Sequence, residues 1–355
     1  MGTVSAPTVL ECEDIAWFRD DPALPAAARG AAAALARRIG LSAHRASEVA
    51  LAVTEAATNL QRHAVDGGLL LRVLRTDTSA AVEFITVDAG PGMADVSTAL
   101  SDGVSSAGTL GIGLGAVARL ADVFDLHSTP GRGTVMVAQF WPRAGRDVLT
   151  PVRPDPVAAG LTRPISGETA CGDAWAVRID DGARDPDTGP ALLAILCDGL
   201  GHGPLAARSS EAAIGTFRRT TARDPEMIMR EVHGALRGTR GGAVAVARVE
   251  PGRKRVLLCG VGNVSAFVVG SGARRSLLSA PGIVGHQIRT FRTFEQPLDP
   301  GGALVLHTDG LTERWSMDAM PGLLHRGPTV IAAQLLREAA VRRDDAGIVV
   351  VKGAW

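Results

Sequence analysis

The sequence predicts an α/β protein of two domains in tandem, a two-layer α/β sandwich followed by a four-layer αββα sandwich. Three observations predict it. The chain is 355 residues long, comfortable for two domains that each bury a core. Pro142, Pro151, Pro154, Pro156 and Pro164 crowd one charged stretch, which blocks helices and sheet ladders and reads as a semi-rigid linker over 142–164. Helix-like and strand-like segments in mixed order fill 1–141, whereas strand-like segments dominate 165–355.

In the first domain, residues 25–39 are rich in Ala and Arg and read as a helix that Gly40 stops. Ser42 caps a longer helix reaching His63, in which Val49, Val53, Ala56 and Leu60 recur at helical spacing as the buried stripe. Strands are expected at 69–74, 81–87, 123–126 and 134–141, the last two flanking the turn Pro130-Gly131-Arg132-Gly133. A small-residue stretch at 97–109 reads as a mobile lid before a helix at 116–120. In the second domain, strands are expected at 174–179, 191–197, 243–249, 256–259, 265–269, 303–307 and 348–351. Helices at 204–219, 225–236 and 328–341 interrupt them, which predicts two packed sheets with helices outside.

Lys+Arg and Asp+Glu are equal at 37 each, so no net field recruits nucleic acid or an anionic membrane. Cys12, Cys171, Cys197 and Cys259 form no C-x-x-C pair and read as small core residues in a reducing compartment. No basic-then-apolar leader is present, and no apolar run approaches the roughly 18 residues of a membrane span. A soluble cytoplasmic protein is expected.

Glu55 and Asn59 stand four apart on the long helix and share a face roughly 110° from its apolar stripe. A carboxylate and an amide stacked there could activate a hydroxyl and ligate Mg²⁺, although such a pair is more often merely solvated. The context favours function. Asp88 follows an apolar strand, where its carboxylate can accept from an exocyclic amine, and Gly90 and Gly92 leave room for a flat ring. Gly111-Ile112-Gly113-Leu114-Gly115 then opens a helix, and glycine amides at a helix N-terminus bind phosphate. A dinucleotide-binding fold needs a strand directly before those glycines; a polar loop stands there instead.

In this order Glu55-x-x-x-Asn59, Asp88-x-Gly90-x-Gly92, Gly111-x-Gly113-x-Gly115 and Gly133-Thr134 resemble the Bergerat-fold ATPases over about residues 8–141. The resemblance implies ATP binding, with Asn59 on Mg²⁺, Asp88 reading adenine, Gly111, Gly113, Leu114 and Gly115 around the phosphates, and Thr134 supporting the adenine pocket. No dimerisation helix with a phosphoacceptor His precedes the domain, so a sensor histidine kinase is not expected. The run 113–120 and the short lead 11–15 look most like the RsbT-type switch kinases, which phosphorylate small STAS-domain regulators. Glu55 would then be the general base toward the acceptor hydroxyl.

Cys171-Gly172-Asp173, Asp198-Gly199-x-Gly201-His202-Gly203, Gly260-x-Gly262-Asn263, Thr308-Asp309-Gly310 and Asp344-Asp345 follow one another in the second domain. Any one Asp-Gly reads first as a turn. Acidic residues at successive strand ends, however, can converge at one edge of a sandwich, where they repel each other and favour divalent cations. Two bridged cations can activate water against a phosphomonoester. The set resembles the type 2C metal-dependent protein phosphatases in their SpoIIE and RsbX form, over about residues 165–352. The resemblance implies Mn²⁺ or Mg²⁺ held by Asp173, Asp198, Asp309 and Asp344, preferred over Asp345, with the carbonyl of Gly199. Ala346-Gly347 stand where the family has Thr or Ser, and no Arg stands where the eukaryotic relatives grip phosphate. His202 reads first as structural in its glycine loop, with a proton donor as the alternative, and His63, His127 and His307 read as packing or surface residues.

Together the resemblances imply a bacterial switch protein that joins a serine/threonine kinase to an opposing phosphatase of STAS-domain clients. The alternative is a first domain that holds ATP and sequesters a partner without transferring phosphate. Glu55 favours catalysis, because sequestration needs no base.

Overall fold

The computed structural model describes residues 11–19, 21–76, 78–100, 113–143, 157–180, 190–270, 274–286, 288, 290–341 and 343–352. They form two compact units, Met1–Pro156 and Val157–Trp355.

The first unit runs β1 (Glu11–Arg19), α1 (Leu24–Arg38), α2 (Ala43–His63), β2 (Gly68–Arg75), β3 (Ala80–Val87), α3 (Val96–Leu100), α4 (Gly113–Leu120), β4 (Val123–Ser128) and β5 (Thr134–Phe140). Its antiparallel sheet has the order β1-β2-β3-β5-β4. Ser42 caps α2 by accepting from the Arg45 amide at 3.2 Å. The stripe Val49, Val53, Ala56 and Leu60 packs on Leu69, Leu71, Val82, Phe84, Met136 and Ala138, the alternate side chains of β2, β3 and β5. Helices on one sheet face make the expected two layers. The other face carries Arg72 and Glu83, buried cross-strand partners whose side chains pair directly. Gln139 donates to Glu83 at 2.8 Å and Trp141 to Gln139 at 3.1 Å, so this buried polar chain leaves no charge uncompensated.

The second unit runs β6 (Ala158–Arg163), β7 (Asp173–Asp180), β8 (Ala191–Gly199), α5 (Pro204–Arg219), α6 (Pro225–Ala235), β9 (Gly242–Glu250), β10 (Arg255–Val261), β11 (Ser265–Val269), β12 (Arg274–Leu277), β13 (Thr293–Pro297), β14 (Ala303–His307), α7 (Pro328–Ala339) and β15 (Ala346–Lys352). Two antiparallel sheets, β13-β10-β9-β8-β7 and β12-β11-β14-β15-β6, lie face to face. Leu192, Ala194 and Leu196 point between the sheets toward Leu304, Leu306, Val349 and Val351. The intervening Leu193, Ile195 and Cys197 point outward against Phe217, Ile228 and Val232 of α5 and α6. That period of two, with α7 packed on β6 and β15, builds the αββα sandwich.

Several expectations need correction. The expected linker 142–164 ends in a strand, because the proline-free stretch before Pro164 pairs with β15 at the sheet edge. The short lead 11–15 is part of a full strand, β1. A register shift between Asp14 and Ala16 breaks its alternation, which hides it from periodicity. β12 and β13 are short, polar edge strands with little apolar pattern. Helix α4 starts at Gly113 rather than 116; of the expected lid, 97–100 belong to α3 and the remainder lies outside the described residues, as does Gly111. Cys197 and Cys259 are buried, whereas Cys12 and Cys171 are only partly so. Among the described residues no helix is long and apolar enough to cross a membrane.

Candidate functional sites

In the first unit, α2 places Glu55 and Asn59 half-buried at the margin of the core, as their angle to the apolar stripe requires. Beyond β3, the chain is tied down on two sides. The Asp88 amide donates to the Thr134 carbonyl at 3.0 Å and Thr134 returns the bond at 3.3 Å. The Ala89 amide donates to Val65 at 2.8 Å, which holds the loop against the end of α2. Asp88 Oδ1 accepts from the Gly90 amide at 2.7 Å, so its carboxylate is oriented by its own loop. Gly133, at φ +81°, is obligatory here, since a Cβ would lie 1.9 Å from the Asp88 carbonyl.

The Thr134 hydroxyl meets Ser128 Oγ at 2.9 Å, and Ser128 accepts from the Met93 amide at 2.8 Å. This brings Asp88, Gly90, Gly92 and Thr134 into one loop cluster. Ser128, which links them, carried no glycine or charge to mark it in the sequence. Gly113, Leu114 and Gly115 open α4, and Gly115 packs so closely that a Cβ would lie 2.6 Å from the Leu100 carbonyl. A half-buried carboxylate, an amide side chain and the N-terminal amides of α4 are a donor set suited to a nucleotide and its Mg²⁺.

In the second unit, Asp173 opens β7 and is the register partner of Asp198 at the end of β8. Burial, then the charge of Asp198, holds the Asp173 carboxyl well above the ordinary range. Asp198 is pushed up to about 7 by burial, then by Asp309, Asp344 and Asp345, and it shares a hydrogen bond with Asp309. Asp309, in the turn after β14, is raised by burial and then by Asp344, while Asn263 donates to its Oδ2. Thr308 donates to Asp173 Oδ2 at 2.8 Å and accepts from the Gly347 amide at 2.9 Å.

Asp344 and Asp345 do different work. Asp345 is buried, and its two oxygens accept from Ile165 and Gly172, each at 2.7 Å. Asp344 is half-buried and contributes charge against Asp198 and Asp309. Gly347 has a local reason in place of the expected Thr or Ser: a Cβ there would stand 3.1 Å from Asp173 Oδ2. Gly199 is fixed by its amide on the Gly172 carbonyl at 3.1 Å.

Among the described residues no three His, Cys, Asp or Glu side chains already stand at metal-holding geometry, and Thr308 and Asn263 each hydrogen-bond one oxygen of Asp173 and Asp309 respectively. The donor chemistry nevertheless fits hard divalent cations: carboxylates that raise one another's proton affinity are relieved by a cation between them. Thr308 and Asn263 stand within the Thr308-Asp309-Gly310 and Gly260-x-Gly262-Asn263 motifs, but only the fold shows what they bond to. His202 is largely exposed and stands 3.4 Å from Glu168, and His307 is buried in a packing role against Phe267 and Trp315.

The two units match different known proteins. Residues 18–139 match the histidine kinase-like ATPase domain family, and residues 188–352 match the stage II sporulation protein E (SpoIIE) family. The serine/threonine-protein kinase RsbT of Bacillus subtilis (strain 168) is 32% identical over 117 residues, 33% of this chain and 88% of the relative. The phosphoserine phosphatase RsbX of the same organism is 26% identical over 183 residues, 50% of this chain and 85% of the relative. Among solved structures, RsbX in complex with magnesium aligns with 55% of this chain and 94% of its own, at 21% identity and a TM-score of 0.43. A chain from work on the bacterial stressosome aligns with 54% of this chain and 97% of its own, at 27% identity and a TM-score of 0.49.

Proposed function

This chain belongs to the histidine kinase-like ATPases by its first unit and carries a SpoIIE-type phosphatase as its second, and from that premise we propose a bifunctional bacterial switch protein. In this reading an ATP-dependent Ser/Thr kinase of STAS-domain regulators is joined to a Mn²⁺- or Mg²⁺-dependent phosphatase that reverses such phosphorylation. The setting is a stress-response, sigma-factor partner-switching pathway in the cytoplasm. The relatives support the pairing, one being a serine/threonine-protein kinase and the other a phosphoserine phosphatase.

The observation that carries the reading is the carboxyl contact between Asp198 and Asp309 at one sheet edge, with Asp344 and Asp345 adding charge around it and Asp173 raised by burial and then by the same carboxylates. Asp173, Asp198, Asp309 and Asp344, with the Gly199 carbonyl, would hold the metal ions, which when bound supply Lewis acidity at the phosphate. The rest is done by the chain. Thr308 fixes the rotamer of Asp173, Asn263 steers Asp309, and Asp345 clamps the segments on which the others stand.

In the kinase unit, Asn59 would hold Mg²⁺ and the Asp88 carboxylate would accept from adenine, with Gly90, Gly92 and Thr134 completing the pocket. The amides of Gly113, Leu114 and Gly115, which open α4, would meet the phosphates, and the motif assigns Gly111 to the same group. Glu55 takes the proton of the acceptor hydroxyl. The test is hydrolysis of a phosphoserine STAS regulator by the full chain with Mn²⁺, with and without chelator, beside transfer from labelled ATP. Turnover that survives chelation would overturn the phosphatase half.

A further inference from the structure

No Arg stands in the sequence where eukaryotic relatives grip phosphate, yet the fold delivers one from another direction. Arg240 lies in the turn between α6 and β9. Its backbone is held from three sides: Thr239 Oγ1 accepts from the Gly241 amide at 2.9 Å, His286 Nε2 lies 3.0 Å from the Arg240 carbonyl, and the Leu200 amide donates to Gly241 at 3.0 Å. The last bond ties this turn to the Asp198–Gly203 loop. The side chain then lies over that loop, where a Cβ on Gly201 would come within 3.1 Å of Arg240 Nη1. Arg240 is exposed, and its guanidinium makes no hydrogen bond or ion pair with any described residue.

We propose that Arg240 is a substrate-binding residue of the phosphatase unit, its guanidinium gripping the oxyanions of the phosphomonoester. The proposal rests on the metallophosphatase reading above. Charge balance argues for it. The four proposed ligand carboxylates would cancel about two divalent cations and Asp345 adds a further negative charge beside them, so a loaded site has little long-range pull on a phosphate dianion. A planar fork beside it supplies that pull and matches phosphate geometry, which Lys does less well. The carboxylates do not engage Arg240, and its anchored turn limits the entropy lost on binding. Gly201 leaves the guanidinium space to lie across the loop.

The experiment uses the full chain saturated with Mn²⁺, a phosphoserine peptide as substrate and inorganic phosphate as product inhibitor. Arg240→Ala should raise KM and the inhibition constant for phosphate together, each roughly 10- to 100-fold, with kcat changed far less. Arg240→Lys should recover part of both. Arg253→Ala, which removes an equal charge at the far end of β9, should leave both unchanged. Unaltered KM and phosphate inhibition in Arg240→Ala, with hydrolysis still stopped by chelator, would overturn the Arg240 assignment alone. Hydrolysis that ignores chelator in the wild type would instead overturn the metal site beneath it. A fall in Mn²⁺ affinity with unchanged phosphate inhibition would also reject the assignment, leaving Arg240 a support for the Asp198 loop.

Discussion

Thr308 donates to Asp173 across the two sheets at 2.8 Å while it accepts from the amide of Gly347 at 2.9 Å. One hydroxyl therefore satisfies a buried carboxylate on the first sheet and a buried amide on the second. Thr308→Val keeps the shape and removes both bonds, leaving two buried polar groups unpaired. A loss of about 1–3 kcal/mol in unfolding free energy is expected by urea titration, together with weaker Mn²⁺ affinity. Thr308→Ser should recover most of both.

Asp344 and Asp345 should separate by readout. Asp345→Asn loses acceptor strength toward Ile165 and Gly172 and should lower the melting temperature most in metal-free protein. Asp344→Asn should leave the melting temperature nearly unchanged and weaken Mn²⁺ binding measured by calorimetry, because an amide binds a hard cation poorly. The reverse pattern would exchange their roles.

Metal-free stability should depend on pH in a definite direction. Asp198 ionises near 3.8 when unfolded and at about 7 when folded, because burial and the neighbouring carboxylates favour its protonated form. Between those values the folded chain binds more protons than the unfolded one, so stability falls as pH rises from about 4 to 7. Melts in chelator should be lower at pH 8 than at pH 5. Added Mn²⁺ should raise the melting temperature more at pH 8, since no proton then has to be displaced.

Glu55→Ala should separate a kinase from a nucleotide-dependent binding module. ATP affinity should be kept, while phosphate transfer to a STAS regulator should fall roughly 10²–10⁴-fold if Glu55 is the base. Wild-type transfer in that variant would remove Glu55 from the reaction. Phosphatase activity, in the other unit, should be unaffected.

Much of this was legible because the α2 stripe and the β8 alternation are strong periodic signals, and because the acidic strand ends fall in ordered motifs. The hidden parts share a physical cause. β1 is interrupted by a register shift, and β12 and β13 are polar edges, so none carries a clean period. Ser128 and Arg240 matter through where the chain returns in space, and neither stands in a local pattern that announces it. Thr308 and Asn263 were visible as motif letters, but their hydrogen-bond partners on distant segments were not. Gly347 shows the converse: a departure from the family's Thr or Ser becomes intelligible once Asp173 is seen packed against it.

The strand Ala158–Arg163 also sets where this protein can be divided. It is the outermost strand beside β15, whose side chains Ile348 to Val351 are wholly buried. A fragment cut at residue 165 would strip that cover and turn β15 into a bare hydrophobic ladder, a template for self-association. A fragment beginning at 157 keeps β15 paired and leaves only the short β6 at the edge. Excised phosphatase units from the two cuts should therefore differ in colloidal behaviour, the longer running as a discrete species by light scattering and the shorter as aggregates. The eight residues between the cuts act as a selvedge that keeps neighbouring molecules from being woven together.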